Sequence, residues 1–292
     1  MEEKVVGLIG VGKMGKLMMG RLQKNGYTVV ACDALPAAKE YIKEQGAVPA
    51  ETGADVARQA RIILMSLPKP AHVLSMVQNM LDELTEDHVL VDTSTVDPLT
   101  SQKNAELVFS AKKAGYVDAP ILGRPMAIGS WMMPVGGQSQ FIDKAEPVLL
   151  NFVTKLARVG GPGCGNAIKI LNNTMFSTIN GISAEIMEIA YKCGVDINVF
   201  YETIAGSSAG TVSGLFRENG RRICDDRYDD PDFTIELMCK DAGLGLHMAK
   251  ASGIHPVITS TVLALNENAR DNGFAHMDTS AMYLYFKKLY EA

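Results

Sequence analysis

The sequence predicts an α/β fold: an N-terminal doubly wound parallel sheet followed by an all-helical C-terminal domain, the two joined by a long interdomain helix. Three observations predict it. Short β-rich runs alternate with longer segments of helical period through the first half, the mark of βαβ units. A glycine-rich turn, Gly10-Val11-Gly12-Lys13-Met14-Gly15, follows the first apolar run directly and opens a helical pattern. The alternation then stops at Gly160-Gly161-Pro162-Gly163, and almost no strand signal lies beyond it. The expected division is a dinucleotide-binding domain of Rossmann type over 1–162 and an all-helical domain over 163–292.

The elements follow in order. VVGLIG opens the sheet, and a helix near 13–25, the strand YTVVACD and a helix near 36–46 come next. Further strands are RIILMSL at 61–67, HVLVD at 88–92, GYVD, and WMMPVGG at 131–137. From about 164 to 193 the apolar residues Ile168, Leu171, Met175, Ile179, Ile182, Ile186 and Ile189 recur at helical spacing without an intervening proline. One helix of that length is about 45 Å long at 1.5 Å per residue, enough to join two domains. Helical segments near 196–205, 210–223, 233–252 and 257–272 complete the chain.

At 292 residues the chain exceeds the size of one ordinary domain. Its 28 basic and 33 acidic residues leave a net charge of -5, which gives no long-range attraction for a polyanion, so nucleic acid is excluded as a partner. Five scattered cysteines without a CxxC pair argue against a disulfide framework and a zinc site, and five histidines show no ligand spacing; no metal is expected. The charged start Met1-Glu2-Glu3-Lys4 lacks the character of a secretory signal, and no apolar stretch reaches the roughly 18 residues that span a membrane. A cytoplasmic protein without a membrane partner is expected.

Each glycine of the loop has its own physical use. Gly10 permits the tight turn, Gly12 lets the backbone approach a pyrophosphate, and Gly15 allows close packing of helix on strand. The phosphates then face a helix N-terminus, which favours anions. Asp33 ends the second strand, where a carboxylate accepts from both ribose hydroxyls and repels a 2′-phosphate, so NAD is expected over NADP. Val11 and Met14 belong to the same cofactor loop, and Ser66-Leu67-Pro68 is placed to close over the adenine side.

Four more motifs follow: Asp92-Thr93-Ser94-Thr95-Val96-Asp97-Pro98; Asp118-Ala119-Pro120 leading to Val135-Gly136-Gly137; Gly163-Cys164-Gly165-Asn166-Ala167-Ile168-Lys169-Ile170-Leu171-Asn172-Asn173; and Lys240-Asp241-Ala242-Gly243-Leu244. With the glycine loop, and in this order, they resemble the β-hydroxyacid dehydrogenase family, which includes 3-hydroxyisobutyrate and tartronate semialdehyde dehydrogenases. The resemblance covers essentially the whole chain, including a C-terminal domain like that of 6-phosphogluconate dehydrogenase. It implies an NAD-dependent oxidoreductase that interconverts a short β-hydroxyacid, or a related small anionic alcohol, and its semialdehyde. By resemblance Lys169 is the general acid/base. A like charge on oxidised nicotinamide and desolvation would both lower its pKa, the direction catalysis requires. Asn173, one turn further on the same helix face, would orient the substrate hydroxyl or Lys169. Ser94 and Thr95 would hold the substrate carboxylate, with Thr95 also beside the nicotinamide, and Lys240 would reach the cofactor. Asp241 reads as structural, Asp97 as an N-cap ahead of Pro98. Family members associate through the helical half, so a homodimer or homotetramer is implied. The loop Gly206-Ser207-Ser208-Ala209-Gly210 reads either as a substrate contact or as a plain interhelical connection.

One loop departs from the family pattern. A small residue and then Ser-Gly-Gly usually follow Asp-Ala-Pro; here the chain reads Ile121-Leu122-Gly123-Arg124-Pro125 and is about two residues shorter. Leu122 removes a hydroxyl, whereas Arg124 adds a planar charged fork suited to carboxylate, sulfonate or phosphate. Gly123 and Arg124 are therefore expected to hold the substrate anion, an arrangement that resembles the sulfolactaldehyde reductase branch. The rival readings are that reductase, an imine reductase, against which Lys169 argues, and a dinucleotide-binding scaffold or redox sensor without catalysis.

Overall fold

A computed structural model of the chain describes residues 4–207, 210 and 213–291, the last of these by its backbone. It forms two compact units, Met1–Lys169 and Ile170–Ala292. The first unit holds β1 (Val5–Ile9), α1 (Lys13–Lys24), β2 (Thr28–Cys32), α2 (Pro36–Glu44), β3 (Val48–Pro49), α3 (Gly53–Gln59), β4 (Ile62–Met65), α4 (Pro70–Met80), β5 (Val89–Asp92), α5 (Pro98–Lys112), β6 (Gly115–Asp118), β7 (Trp131–Gly137), α6 (Ser139–Leu149) and β8 (Val153–Gly160). They build an eight-stranded sheet in the order β3-β2-β1-β4-β5-β6-β7-β8.

The strand signal is strong where strands are covered on both faces. In β5 every residue is buried, and Leu8 and Ile9 of β1 face separate apolar clusters. Met18, Met19 and Leu22 of α1 pack on one face; Val56 of α3 and Val73, Val77 and Met80 of α4 pack on the other. Capping is explicit in two places. Thr52 and Asp55 form a capping box at the start of α3. Asp97 caps α5 by accepting from the Thr100 N–H at 2.9 Å, ahead of Pro98, as its sequence context predicts.

One feature corrects the parallel-sheet reading, and a second adds a strand to it. β7 runs antiparallel to β6, with Val117 opposite Gly137 and Asp118 opposite Gly136. The segment 119–130 between them carries only a short 3-10 turn at Pro125–Ala127 and no crossover helix, so the chain simply returns along its neighbour. Beyond α6, β8 pairs parallel with β7 at the sheet edge and escapes the sequence pattern. Thr154, Lys155 and Arg158 expose its outer face and break up its apolar run.

The second unit begins inside α7 (Cys164–Lys192) and continues with α8 (Ile197–Gly206), α9 (Gly214–Cys224), α10 (Ile235–Ala251), α11 (Val257–Ala269) and α12 (Met282–Glu291). Its core gathers Met187, Phe216, Ile223, Ile235, Met238, Met282 and Phe286. Buried amides donate within it: Asn180 to the Thr279 carbonyl at 2.8 Å, and Asn266 to Ser177 Oγ at 2.5 Å. α11 stops at Ala269, short of the expected 272, and a π turn over Arg270–Phe274 follows, with Gly273 at φ +100°. α12 lacks an obvious sequence signal because its tyrosines and phenylalanine also suit a strand.

Along α7, Leu171, Met175, Ile182 and Ile189 are 54, 65, 51 and 48 % exposed. Their spacing puts them on one stripe of the helix, left uncovered in the single chain. Among the described residues, no helix is long and apolar enough to cross a membrane.

Candidate active site

The cofactor loop sits at the C-terminal ends of β1, β2, β4 and β5, where the strand order turns back on itself and open α/β sheets bind ligands. Gly10 has φ +91°, and a Cβ there would lie 2.3 Å from the Ser66 carbonyl oxygen. A Cβ on Gly15 would lie 2.1 Å from the Gly10 carbonyl oxygen. Gly12, by contrast, faces open space with nothing within 4 Å. The first and third glycines thus fit the protein to itself, and the second leaves room for a ligand. Gly12 is also the N-cap of α1 and offers no capping side chain, so the helix start suits a phosphate. Val11 is buried and donates its N–H to Asp33 Oδ2 at 2.7 Å, while Asp33 Oδ1 accepts from the Leu35 N–H at 2.8 Å. Met14 is half-buried and packs against the apolar cluster on the α1 face of the sheet. These residues fit a nicotinamide dinucleotide: an uncapped helix start for the pyrophosphate and a fixed carboxylate for the ribose.

The neighbouring loops are tied to each other. Ser94 is buried, and its Oγ accepts from the Leu67 N–H at 2.8 Å, joining the β5 loop to the Leu67-Pro68 turn. Its own N–H donates to Asp92 Oδ1 at 2.9 Å, and Tyr116 donates its hydroxyl to Asp92 Oδ2 at 2.7 Å. Thr95, half-buried, follows Ser94 on this braced turn. Pro68 is exposed at the rim.

The start of α7 is clamped to the same sheet. Asp118, fully buried, accepts from the Gly163 N–H at 2.7 Å and the Asn166 N–H at 2.8 Å. Burial pushes its carboxyl up to about 6, against the pull of those two donors. A Cβ on Gly165 would stand 2.5 Å from the Pro134 carbonyl oxygen, so only glycine lets the helix come this close. Asn166, also fully buried, accepts from the Val96 N–H at 3.2 Å and donates to Ser101 Oγ at 3.2 Å. The Ser94-Thr95 turn and the first turn of α7 are therefore linked through one side chain, and half-buried Lys169 comes three residues after it. Neither clamp residue stood out in the sequence as part of a site. Asp118 and Asn166 lay inside recognisable motifs, but their work is done through backbone N–H groups that no residue pattern displays.

In the second unit, Asn173 and Lys240 converge on Asp241. Asn173 donates its amide to Asp241 Oδ2 at 2.5 Å, and Lys240 Nζ lies 3.0 Å from Asp241 Oδ1. Asp241 is 3 % exposed, so this carboxylate holds both side chains from a nearly dry position. The structural part expected of Asp241 thus serves two candidate site residues. An acid amid the buried Met238, Cys239 and Ala242 of α10 was the available signal, since buried carboxylates need partners. Gly245 permits the contact: a Cβ there would meet Thr174 Oγ1 at 2.3 Å.

Gly123 and Arg124 lie on the β6–β7 return. Leu122 and Met132 form an isolated antiparallel bridge, and half-buried Arg124 heads the Pro125–Ala127 turn. Ser208 and Ala209 of the Gly206–Gly210 loop lie outside the described residues. Among the described residues, no group of His, Cys, Asp and Glu side chains is arranged to hold a metal ion. The predicted residues thus divide between the two units: the glycine loop, Asp33, Leu67-Pro68, Ser94-Thr95, Gly123-Arg124 and Lys169 belong to the first, and Asn173 and Lys240 to the second.

Comparison with known proteins shows the family of the chain. Residues 5–161 match the family described as the NAD binding domain of 6-phosphogluconate dehydrogenase. Residues 163–286 match that described as NAD-binding of NADP-dependent 3-hydroxyisobutyrate dehydrogenase. The chain is 31 % identical to the 2-(hydroxymethyl)glutarate dehydrogenase of Eubacterium barkeri, over 99 % of this chain and 97 % of that one. It is 27 % identical to the 3-sulfolactaldehyde reductase of Escherichia coli, over 95 % and 94 % of the two chains. The solved 3-hydroxyisobutyrate dehydrogenase of Mycobacterium tuberculosis shares the fold, with a TM-score of 0.87 at 22 % identity over 98 % of this chain and 99 % of that one. With matched families on both halves and such a relative along nearly its full length, the chain belongs to the β-hydroxyacid dehydrogenase family of NAD(P)-dependent oxidoreductases acting on the CH–OH group of small hydroxyacids.

Proposed function

We propose that the chain is an NAD-dependent dehydrogenase/reductase that interconverts a short β-hydroxyacid, or a related small anionic alcohol, and its semialdehyde, with Lys169 as general acid/base. The observation that supports this reading is the double clamp of Asp118 and Asn166, which fixes the start of α7, the helix that bears Lys169, beside the Ser94-Thr95 turn. The bound dinucleotide supplies a hydride acceptor or donor at its nicotinamide ring. In oxidation the neutral Lys169 amine takes the hydroxyl proton as the carbon loses hydride; in reduction the ammonium returns it to the carbonyl oxygen. Asn173 directs the substrate oxygen, its amide held by Asp241, and Lys240 steadies the cofactor from the same carboxylate. Ser94, Thr95, Gly123 and Arg124 hold the anion. Asp33 favours NAD over NADP, because its carboxylate repels a 2′-phosphate.

A sulfolactaldehyde-type reductase is the second reading, favoured by Arg124 and by the relative of that name. The deciding experiment measures NADH and NADPH oxidation with succinic, methylmalonic and tartronate semialdehydes and sulfolactaldehyde, and NAD reduction with 2-(hydroxymethyl)glutarate. Turnover of one of these compounds with the non-phosphorylated cofactor preferred is expected; a preference for NADPH would overturn the role of Asp33. No turnover of any of them would remove the substrate reading.

We also infer that a second copy of the chain covers the apolar stripe on α7, giving a homodimer or homotetramer. These side chains are already about half-buried, so completing the burial of each contributes about 1 kcal/mol. The double variant Ile182→Glu/Ile189→Glu is therefore expected to sediment as a monomer while keeping its helical content. An unchanged mass would place any interface elsewhere.

A further inference from the structure

Trp131 is the chain's one tryptophan and is 1 % exposed, yet its polar atom is not spent on the core. A buried indole N–H needs an acceptor, and this one donates to the main-chain carbonyl of Arg124 at 2.8 Å. That carbonyl also accepts from the Ala127 N–H at 3.0 Å. With two donors on one oxygen, the Arg124 peptide plane is held, and with it the direction in which the side chain leaves the backbone.

The same ring controls the preceding residue. A Cβ on Gly123 would lie 2.6 Å from Trp131 Cδ1, so the indole lies directly against the Gly123 backbone. On the far side the Leu122 N–H donates to the Met132 carbonyl at 2.8 Å, and the Met132 N–H returns a bond to Leu122 at 3.0 Å. Trp131 itself is seated firmly, with its ring centroid 6.3 Å from that of Phe152 and both Gly129 and Trp131 donating their N–H groups to the Phe152 carbonyl.

We propose that Trp131 is a positioning residue for substrate binding: its indole clamps Gly123-Arg124 in the one backbone shape that presents the arginine fork to the substrate anion. This rests on the reading of Arg124 as the anion-holding residue. The clamp bears on binding of the anion and not on proton or hydride transfer, so its loss moves KM and leaves kcat in place.

The test uses Trp131→Phe, which keeps an aromatic ring in the core but removes the pyrrole half of the indole with its N–H, and Trp131→Leu, which also removes the ring that lies against Gly123. Each variant is assayed on the full-length enzyme beside Arg124→Ala with whichever anionic aldehyde the wild type turns over, and each is checked by thermal melting. Expected is a rise in KM of about tenfold in both clamp variants, the scale of one lost hydrogen bond, with kcat and NADH affinity within twofold of wild type. If Arg124→Ala raises KM and both folded clamp variants leave it unchanged, the clamp is overturned and the arginine reading stands. If Arg124→Ala itself leaves KM unchanged, both fall. A joint loss of kcat, KM and NADH affinity in the clamp variants marks general damage and also overturns the proposal.

Discussion

Replacing Lys169 by alanine is expected to lower kcat by a factor of order 10³ while leaving NADH affinity within about twofold, because the role proposed for the amine is to carry the proton and not to hold the cofactor. The start of α7 should survive the change. Asp118 and Asn166 hold it through backbone N–H groups and through Val96 and Ser101, none of which involves the lysine side chain. Alanine also suits a helix interior at least as well as lysine. Steady-state kinetics with a fluorescence titration of NADH separates the two effects. Lys169→Arg sharpens the result: it retains a positive charge but cannot give up its proton near neutral pH, so it should be as inactive as the alanine variant. An arginine variant with wild-type kcat would show that charge, and not proton transfer, is what this position supplies.

Replacing Arg124 by alanine should raise KM for the anionic substrate about a hundredfold and change kcat little. Removing one side of a charge-assisted hydrogen-bonded pair costs about 1.5–3 kcal/mol, and each 1.4 kcal/mol is a factor of ten in binding. Arg124→Lys should recover only part of the loss, because an ammonium restores the charge but not the two parallel donors of the fork. An uncharged aldehyde of the same size should show almost no difference between wild type and Arg124→Ala. Equal losses on charged and uncharged aldehydes would mean that the residue shapes the loop and does not hold an anion.

The order of strands and helices was largely legible because local pattern and global fold agree in this chain. Buried parallel strands produce dense apolar runs, and the glycines of the cofactor loop are demanded by contacts as close as 2.1 Å. The edge strand β8 was not legible, since half its side chains are solvated and its lysine and arginine interrupt the period. α12 was hidden by its aromatic residues. In the candidate site, Asp33 and Arg124 could be named from the sequence by their side-chain chemistry, and Lys169 by its place in a family motif. Those acting on the backbone of distant segments could not: Asn166 reaches Val96 across seventy positions of sequence, and Trp131 meets Arg124 only because β7 turns back along β6.

That reversal between β6 and β7 has an evolutionary consequence. In a βαβ unit, shortening the connection drags a helix and shifts a strand, so the scaffold resists changes of length there. Between β6 and β7 the two strand ends are fixed by their own pairing, Asp118 with Gly136 and Val117 with Gly137, and residues 119–130 pass between them without a crossover helix. The loop proposed to hold the substrate anion is in this sense a cassette: its length and its charged residue can be exchanged without re-registering the sheet. Such an exchange would leave the glycine loop and the clamped start of α7 where they are.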